Sequence, residues 1–402
     1  NSSLETRPCS VAHQPAMPLV HFFTNMVELI TQLFSLKRGS MRALRWHRFI
    51  TVCWVFPLFC VLSLWNNVGL ALDWLLFPRF HCQPVERPVF VVSLPRTGTT
   101  NLLHGLTDPG MPFTALTLWE SLLAPAVVQK KLLRFLWRGL PKAFKQMLRK
   151  ADAKLFQQLN VIHKASLFCK EEDELALIWS LSTAYLGFFY PESNVFRDLY
   201  RFDQEVSVRR KARIMKRYRR LAQRHLYALP PGQRRRFLAK NPLMPYKVKA
   251  LATEFPDATA VIIERDPKSV FPSGEILLSH LLDFATDVPL SKKERQTFID
   301  LIEDFQHHLY QTLAVDRIMP TVLVPFKDLV KDRNGVLKAL ATQLGEEDFK
   351  LSNAPEEEHR TQARYAPWTQ EELNTFLRQP WPNWPNAMWL QRVPRQDQET
   401  DK

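Results

Sequence analysis

Pro88-Val89-Phe90-Val91-Val92-Ser93, then Leu94-Pro95-Arg96-Thr97-Gly98-Thr99-Thr100, then Asn101-Leu102-Leu103-His104-Gly105-Leu106: on these residues the fold turns. The first six are apolar and β-rich, which predicts a strand buried on both faces of a parallel sheet. The last six predict a helix. A strand, a glycine-containing loop and a helix form a phosphate cradle, because N–H groups and the helix dipole at the helix start favour an anion. Gly98 permits the turn and a close ligand. Thr97, Thr99 and Thr100 supply hydroxyl donors, and Arg96 a fixed cationic fork. No lysine follows Gly98, so this is not the loop of a P-loop kinase. Alone, the motif is also compatible with a purely structural βα turn.

Reading outward gives more units of the same kind. Arg236–Lys240 predicts a strand ended by Asn241-Pro242, and a helix is expected over about Lys247–Glu254. Thr259–Glu264 predicts another buried strand. Arg265 stands at its carboxyl end, with Ser273 eight residues later on the next helix. Open α/β sheets bind ligands beyond the carboxyl ends of their strands, so Arg265 and Ser273 are placed to converge on a second phosphate, away from the first loop. A last strand, Thr321–Phe326, precedes a helix from about Gly335 to Leu344.

Together these residues resemble the sulfotransferases that use 3′-phosphoadenosine 5′-phosphosulfate (PAPS). Pro95–Thr100 is similar to that family's 5′-phosphosulfate loop. Arg265 and Ser273 are similar to its 3′-phosphate element, in the same order and spacing. Glu171-Glu172-Asp173-Glu174, Lys240-Asn241-Pro242 and the block Phe255–Pro267 extend the likeness over about residues 70–350. The resemblance implies an α/β three-layer, P-loop-like sulfotransferase fold with a central parallel sheet. It implies PAPS as co-substrate, 3′,5′-ADP as product and no metal. Arg96, Thr97, Gly98, Thr99, Thr100, Arg265 and Ser273 would then bind the donor. Arg96 would cover the moving sulfuryl group, and Lys240 is a candidate second cation, or else an exposed strand-end lysine. Relatives use Glu or His as base. Glu120, 24 residues after Arg96, and His163, before the acidic cluster, are the two candidates. Their structural alternatives are a helix-start charge and a core histidine. The acidic cluster is expected to pair with basic groups or to orient the site.

The rest of the chain narrows the setting. A net charge of +14 favours anionic partners. Phe49–Trp65 is 17 residues without a charge, preceded by Lys37, Arg38, Arg42, Arg45 and Arg48. Three readings are open: the segment lies on a membrane, spans one with a kink at Pro57, or is a buried helical hairpin. A span would leave residue 1 cytoplasmic. The expected organisation is a helical, membrane-associating segment over 1–85, a sulfotransferase domain over 86–350 and a lid or tail over 351–402. The enzyme is expected at the cytosolic face of a membrane, the alternative being a Golgi membrane with a luminal domain. The acceptor is expected to be a small molecule, lipid or glycan presenting a hydroxyl or amine. Arg209–Arg224 carries nine Lys/Arg and no acid on a predicted amphipathic helix. It reads as a solvated face, a membrane contact or an acceptor contact. No groove-reading motif supports nucleic acid. His359, Arg360, Arg364 and Tyr365, followed by Trp368, Trp381, Trp384 and Trp389, suggest a lid. Five scattered cysteines, Cys9, Cys53, Cys60, Cys82 and Cys169, make neither a disulfide framework nor a zinc site. The rivals are a nucleotide-dependent kinase and a non-catalytic membrane scaffold.

Overall fold

The computed structural model describes residues 19–34, 50–157, 160, 165–186, 193–230, 235–285, 292–351 and 366–391. Helix α1 (Leu19–Phe34) and helix α2 (Phe56–Leu76) precede the sheet. Strand β1 (Val89–Val91) leads to α3 (Thr99–Leu106), and β2 (Phe113–Thr114) leads to α4 (Leu118–Leu122), α5 (Val127–Gly139) and α6 (Lys142–Leu155). After three short helical segments among the described residues comes α7 (Val208–Tyr227), then β3 (Arg236–Lys240), α8 (Val248–Glu254), β4 (Thr259–Glu264), α9 (Pro267–Ala285) and α10 (Lys292–Leu309). Strand β5 (Thr321–Pro325) is followed by α11 (Phe326–Lys331), α12 (Arg333–Gln343) and α13 (Gln370–Phe376).

The five strands are all parallel, in the order β2-β3-β1-β4-β5. Val91 is in register with Lys240 on one side and Val261 on the other. The apolar runs alternate between two cores. Phe90, Phe237, Ala239, Ala260 and Ile262 face a layer that includes α7 and α8. Val89, Val91, Leu238, Val261 and Ile263 face α3 and α12. Apolar residues on both faces of each strand are what a sheet covered on both sides requires, and they produce the expected three layers.

Differences from the sequence reading are local. The first helix begins at Thr99, two residues early, because Gly98 takes the left-handed conformation (φ 87°) of its cap. The two-residue β2 and the helices α5 and α6 had no counterpart in the sequence reading. Pro57 falls in the first turn of α2, directly after a π-helical turn over Thr51–Val55, so the helical path is irregular where the proline stands. Cys82 is disulfide-bonded, contrary to an array of scattered thiols, while Cys53, Cys60 and Cys169 are in no disulfide. Cys53–Leu76 is long and apolar enough to cross a membrane, with a mean hydropathy of 1.7, yet only 17% of it is buried. A buried hairpin therefore does not describe it.

Candidate active site

Strand β1 passes its chain toward β2 on one side, whereas β4 passes its chain toward β5 on the other. The connections diverge between β1 and β4, and at such a switch point a crevice opens beyond the carboxyl ends. Two loops flank it: 94–98 after β1 and 265–266 after β4.

The loops touch. Arg96 adopts a positive φ of 66°, uncommon outside glycine. Its carbonyl accepts a hydrogen bond from Arg265 Nη1 at 2.5 Å, and its own Nε donates to Ser273 Oγ at 3.0 Å. Arg265 and Ser273 were expected away from the first loop. The structure corrects this: the two elements adjoin, because β1 and β4 are hydrogen-bonded neighbours and α9 brings Ser273 back over the loop. Phe326, the first residue of α11, organises the same corner. Its ring lies 4.3 Å under the Arg265 guanidinium, and a Cβ on Gly98 would sit 3.1 Å from it. The sequence reading missed Phe326. Its position immediately beyond the carboxyl end of a buried strand was the available signal.

The threonines divide their work. Thr97 is buried and its hydroxyl donates to the Leu94 carbonyl at 2.7 Å, so it braces the loop. Thr99 and Thr100 occupy the first turn of α3, half-buried, with hydroxyls that no described residue engages. They are the hydroxyls left for a ligand. Loop amides, two free hydroxyls and two guanidinium groups form an arrangement that suits an anion carrying phosphates at two points.

Lys240 is not an exposed strand-end lysine. It is 2% exposed, with Nζ 3.0 Å from Glu172 Oε1 and 4.0 Å from Glu171 Oε2. Burial works against its charge, but Glu172 and Glu171 outweigh it and raise its proton affinity. The rest of the acidic cluster is also engaged. Glu174 pairs with Lys247 and accepts from Asn241 at 2.5 Å, while Asp173 accepts from the Tyr218 hydroxyl. Burial pushes the Asp173 carboxyl up to about 7.

Glu120 sits in the first turn of α4, 2% exposed. One oxygen accepts from Arg134 Nη2 at 2.8 Å. The other accepts from the Thr117 amide at 3.0 Å and lies 3.3 Å from His225 Nδ1. Burial would raise this carboxyl, but His225 and Lys130 outweigh it and hold it well below the usual carboxylate range. His163, the other candidate base, lies outside the described residues, as do His359, Arg360, Arg364 and Tyr365. Among the described residues no three metal-ligating side chains gather.

The tryptophans of the tail are brought to the site's edge. Trp368 stacks on Phe271 of α9 at 5.3 Å, and its amide donates to Lys268 O at 2.8 Å. Trp384 and Trp381 donate indole N–H groups to Glu264, at 3.1 and 3.3 Å. Glu264 directly precedes Arg265, and burial pushes it up to about 7.

The profile of the Sulfotransferase family matches residues 88–350, which include every strand of the sheet and both arginine elements. The chain belongs to the sulfotransferase family. As such it is an enzyme that transfers a sulfuryl group. It is 27% identical over 339 residues to omega-hydroxy-beta-dihydromenaquinone-9 sulfotransferase Stf3 of Mycobacterium bovis, covering 79% of this chain and 77% of that one; the same protein of Mycobacterium tuberculosis matches equally. Its fold is similar to the crystal structures of sulfotransferase STF1 from Mycobacterium tuberculosis (TM-score 0.54, 18% identity, 83% of this chain and 90% of that one) and STF9 from Mycobacterium avium (TM-score 0.58, 16% identity, 81% and 79%).

Proposed function

We propose that this sulfotransferase moves the sulfuryl group of PAPS to a hydroxyl of an amphiphilic, lipid-like acceptor. The observation that carries the donor is the meeting of Arg96, Arg265 and Ser273 at the β1/β4 switch point. In this reading Thr99, Thr100 and the loop amides hold the 5′-phosphate, and Arg265 with Ser273 holds the 3′-phosphate. Arg96 stands between them against the moving group. The acceptor oxygen attacks sulfur in line, the bond from sulfur to the phosphate oxygen breaks, and 3′,5′-ADP leaves. Lys240, charged and buried one strand away, stabilises the negative charge that develops. The acceptor proton goes to His163. Glu120 is the weaker base at neutral pH, since its carboxylate is ion-paired and its proton affinity is depressed.

Two observations support the acceptor class. The relative Stf3 is named for an omega-hydroxy-beta-dihydromenaquinone-9 acceptor. The exposed apolar face of helix α2 supports an enzyme that works at a surface where such molecules dissolve.

Calorimetry with 3′,5′-ADP, 5′-AMP and ATP–magnesium tests the donor. We expect 3′,5′-ADP to bind, and Arg265→Ala to weaken it by about 10- to 100-fold while affecting 5′-AMP much less, as loss of a charge-assisted contact predicts. Tight binding of ATP–magnesium alone overturns the reading in favour of a kinase. Labelled donor with a panel of lipid alcohols and glycans tests the acceptor; exclusive labelling of glycans overturns that part. His163→Ala should remove the base limb of the pH–rate profile, whereas Glu120→Gln should retain it.

A further inference from the structure

Helix α2 is built inside out. Its buried positions are Ser63, Asn66, Gly69 and Asp73, one face at helical spacing. Its outward face carries Leu58 (58% exposed), Val61 (64%), Leu64 (68%) and Leu75 (76%). A soluble helix has the opposite arrangement. The polar face is fastened to the protein along its length. Phe59 stacks on Trp179 at 5.6 Å, Asn66 donates to Leu122 O at 2.9 Å, and Trp65 donates to Leu123 O at 2.8 Å. At the far end, Asp73 accepts from the amides of Val127 and Val128 and from Arg224. From Phe59 to Asp73 is roughly 21 Å of helix at about 1.5 Å per residue. Crossing a hydrocarbon core of about 30 Å would therefore draw the Arg224–Asp73 pair and the start of α5 into lipid.

Charge marks what covers the apolar face. Beside α2 opens a shallow surface cleft, lined by Arg210, Arg213 and Arg217 of α7 with Asn25, Ser180 and Ser182. Ser180 adjoins Trp179, which stacks on α2, and Asn25 belongs to α1, whose Phe23, Val27 and Ile30 are also exposed. Arg213 and Arg217 make no ion pair or hydrogen bond with the described residues. Arg210 donates only to the Val195 carbonyl, at 2.9 Å. Burial and the neighbouring arginines push Arg217 down to about 10. Asp198 offsets part of the charge of Arg210, whereas Arg217 faces only the neighbouring Arg213 and Arg220. Half-buried guanidinium groups on successive turns of one helix face, with that single carboxylate near one end, repel one another until an anion joins them. The chain between α1 and α2 adds Lys37, Arg38, Arg42, Arg45 and Arg48 and no acid.

We propose that α1 and α2 lie flat in one leaflet of an anionic bilayer, without crossing it, and that the Arg210–Arg213–Arg217 cleft seats the phosphate headgroup of a lipid in that leaflet. This deepens the membrane-side part of the proposed function. Its tests read binding rather than sulfuryl transfer, so either can fail alone. The full chain is mixed with preformed vesicles of phosphatidylcholine, with and without phosphatidylglycerol, and floated on a density gradient. It floats with the anionic vesicles, and trypsin added outside leaves no protected fragment from residues 1–85. Arg213→Gln with Arg217→Gln lowers apparent affinity for the anionic vesicles roughly 25-fold, as expected for two surface charges. The same variant does not lower the thermal midpoint, because neither residue is paired with a described residue and their mutual repulsion is relieved. A trypsin-protected N-terminal fragment overturns the flat geometry. Equal flotation of the arginine variant overturns the headgroup seat. Displacement by millimolar inorganic phosphate without vesicle binding assigns the cleft to a soluble anion and overturns the membrane reading, as does a lipid-free dimer that anionic vesicles leave intact.

Discussion

Gly98 carries two constraints at once. Its φ of 87° is left-handed, and a Cβ there would press on the Phe326 ring at 3.1 Å. Gly98→Ala should cost about 1–2 kcal/mol from the backbone alone and weaken nucleotide binding as the loop shifts. Adding Phe326→Leu relieves the ring contact but not the backbone, so the double variant should recover only part of the loss, read by thermal denaturation and calorimetry. The loop's residue types were legible in the sequence because a phosphate cradle needs glycine and hydroxyls at fixed offsets. The division of labour among its threonines was not. Thr97 looks equivalent to Thr99 and Thr100 until the fold places its hydroxyl 2.7 Å from the Leu94 carbonyl. The neighbours of Arg265 were illegible for a similar reason: Phe326 is 61 residues away in sequence and meets it only because β4 and β5 pair.

Among the elements, α2 and α5 depend on one carboxylate. Asp73 is fully buried, caps the start of α5 with both oxygens and neutralises Arg224 at 2.7 Å. Asp73→Ala should cost about 3–5 kcal/mol, because it strands a buried guanidinium. Adding Arg224→Met should recover much of that, measured by chemical denaturation in mild detergent. Where the acidic segment meets α7, Asp173 is raised to about 7 from an ordinary value near 4. The folded state keeps that proton while the unfolded chain has released it. Stability is therefore fully present below about pH 4 and is lost as pH rises through about 7, by up to about 1.4 kcal/mol per pH unit from this group. The thermal midpoint should fall between pH 5 and 8, and Asp173→Asn, which still offers an oxygen to Tyr218, should flatten the slope. Glu264, shifted the same way by burial, supplies a remainder. The strands β3, β4 and β5 were readable as apolar runs because both of their faces are covered. β2 was not, since two residues cannot show a period. The polarity of α2 was present in the sequence as Ser63, Asn66, Gly69 and Asp73, but an average over the segment counts polar residues without showing that they share a face.

At the scale of the whole molecule, the two halves of the reading rest on different physics. The sheet and its crevice follow from apolar strands and fixed chain offsets, which a sequence displays directly. The seating of α2 against the catalytic domain follows from contacts between residues far apart, such as Asn67 with the Trp179 carbonyl at 3.2 Å, which no local pattern records. The cysteines give a direct check on the assembled chain. Cys82 is disulfide-bonded, so thiol counting on the denatured, unreduced protein should give fewer than the five cysteines of the sequence. A persistent bond at Cys82 points to folding in an oxidising compartment, and five thiols would place folding in a reducing one.

The outward leucines and valines of α2 also change what acceptor concentration means for this enzyme. If its acceptor shares the leaflet in which that helix rests, encounters take place in two dimensions. The rate then follows the acceptor's mole fraction among the lipids rather than its molarity in the tube. Surface dilution, adding inert lipid at constant acceptor, would slow turnover even though nothing in the aqueous phase had changed.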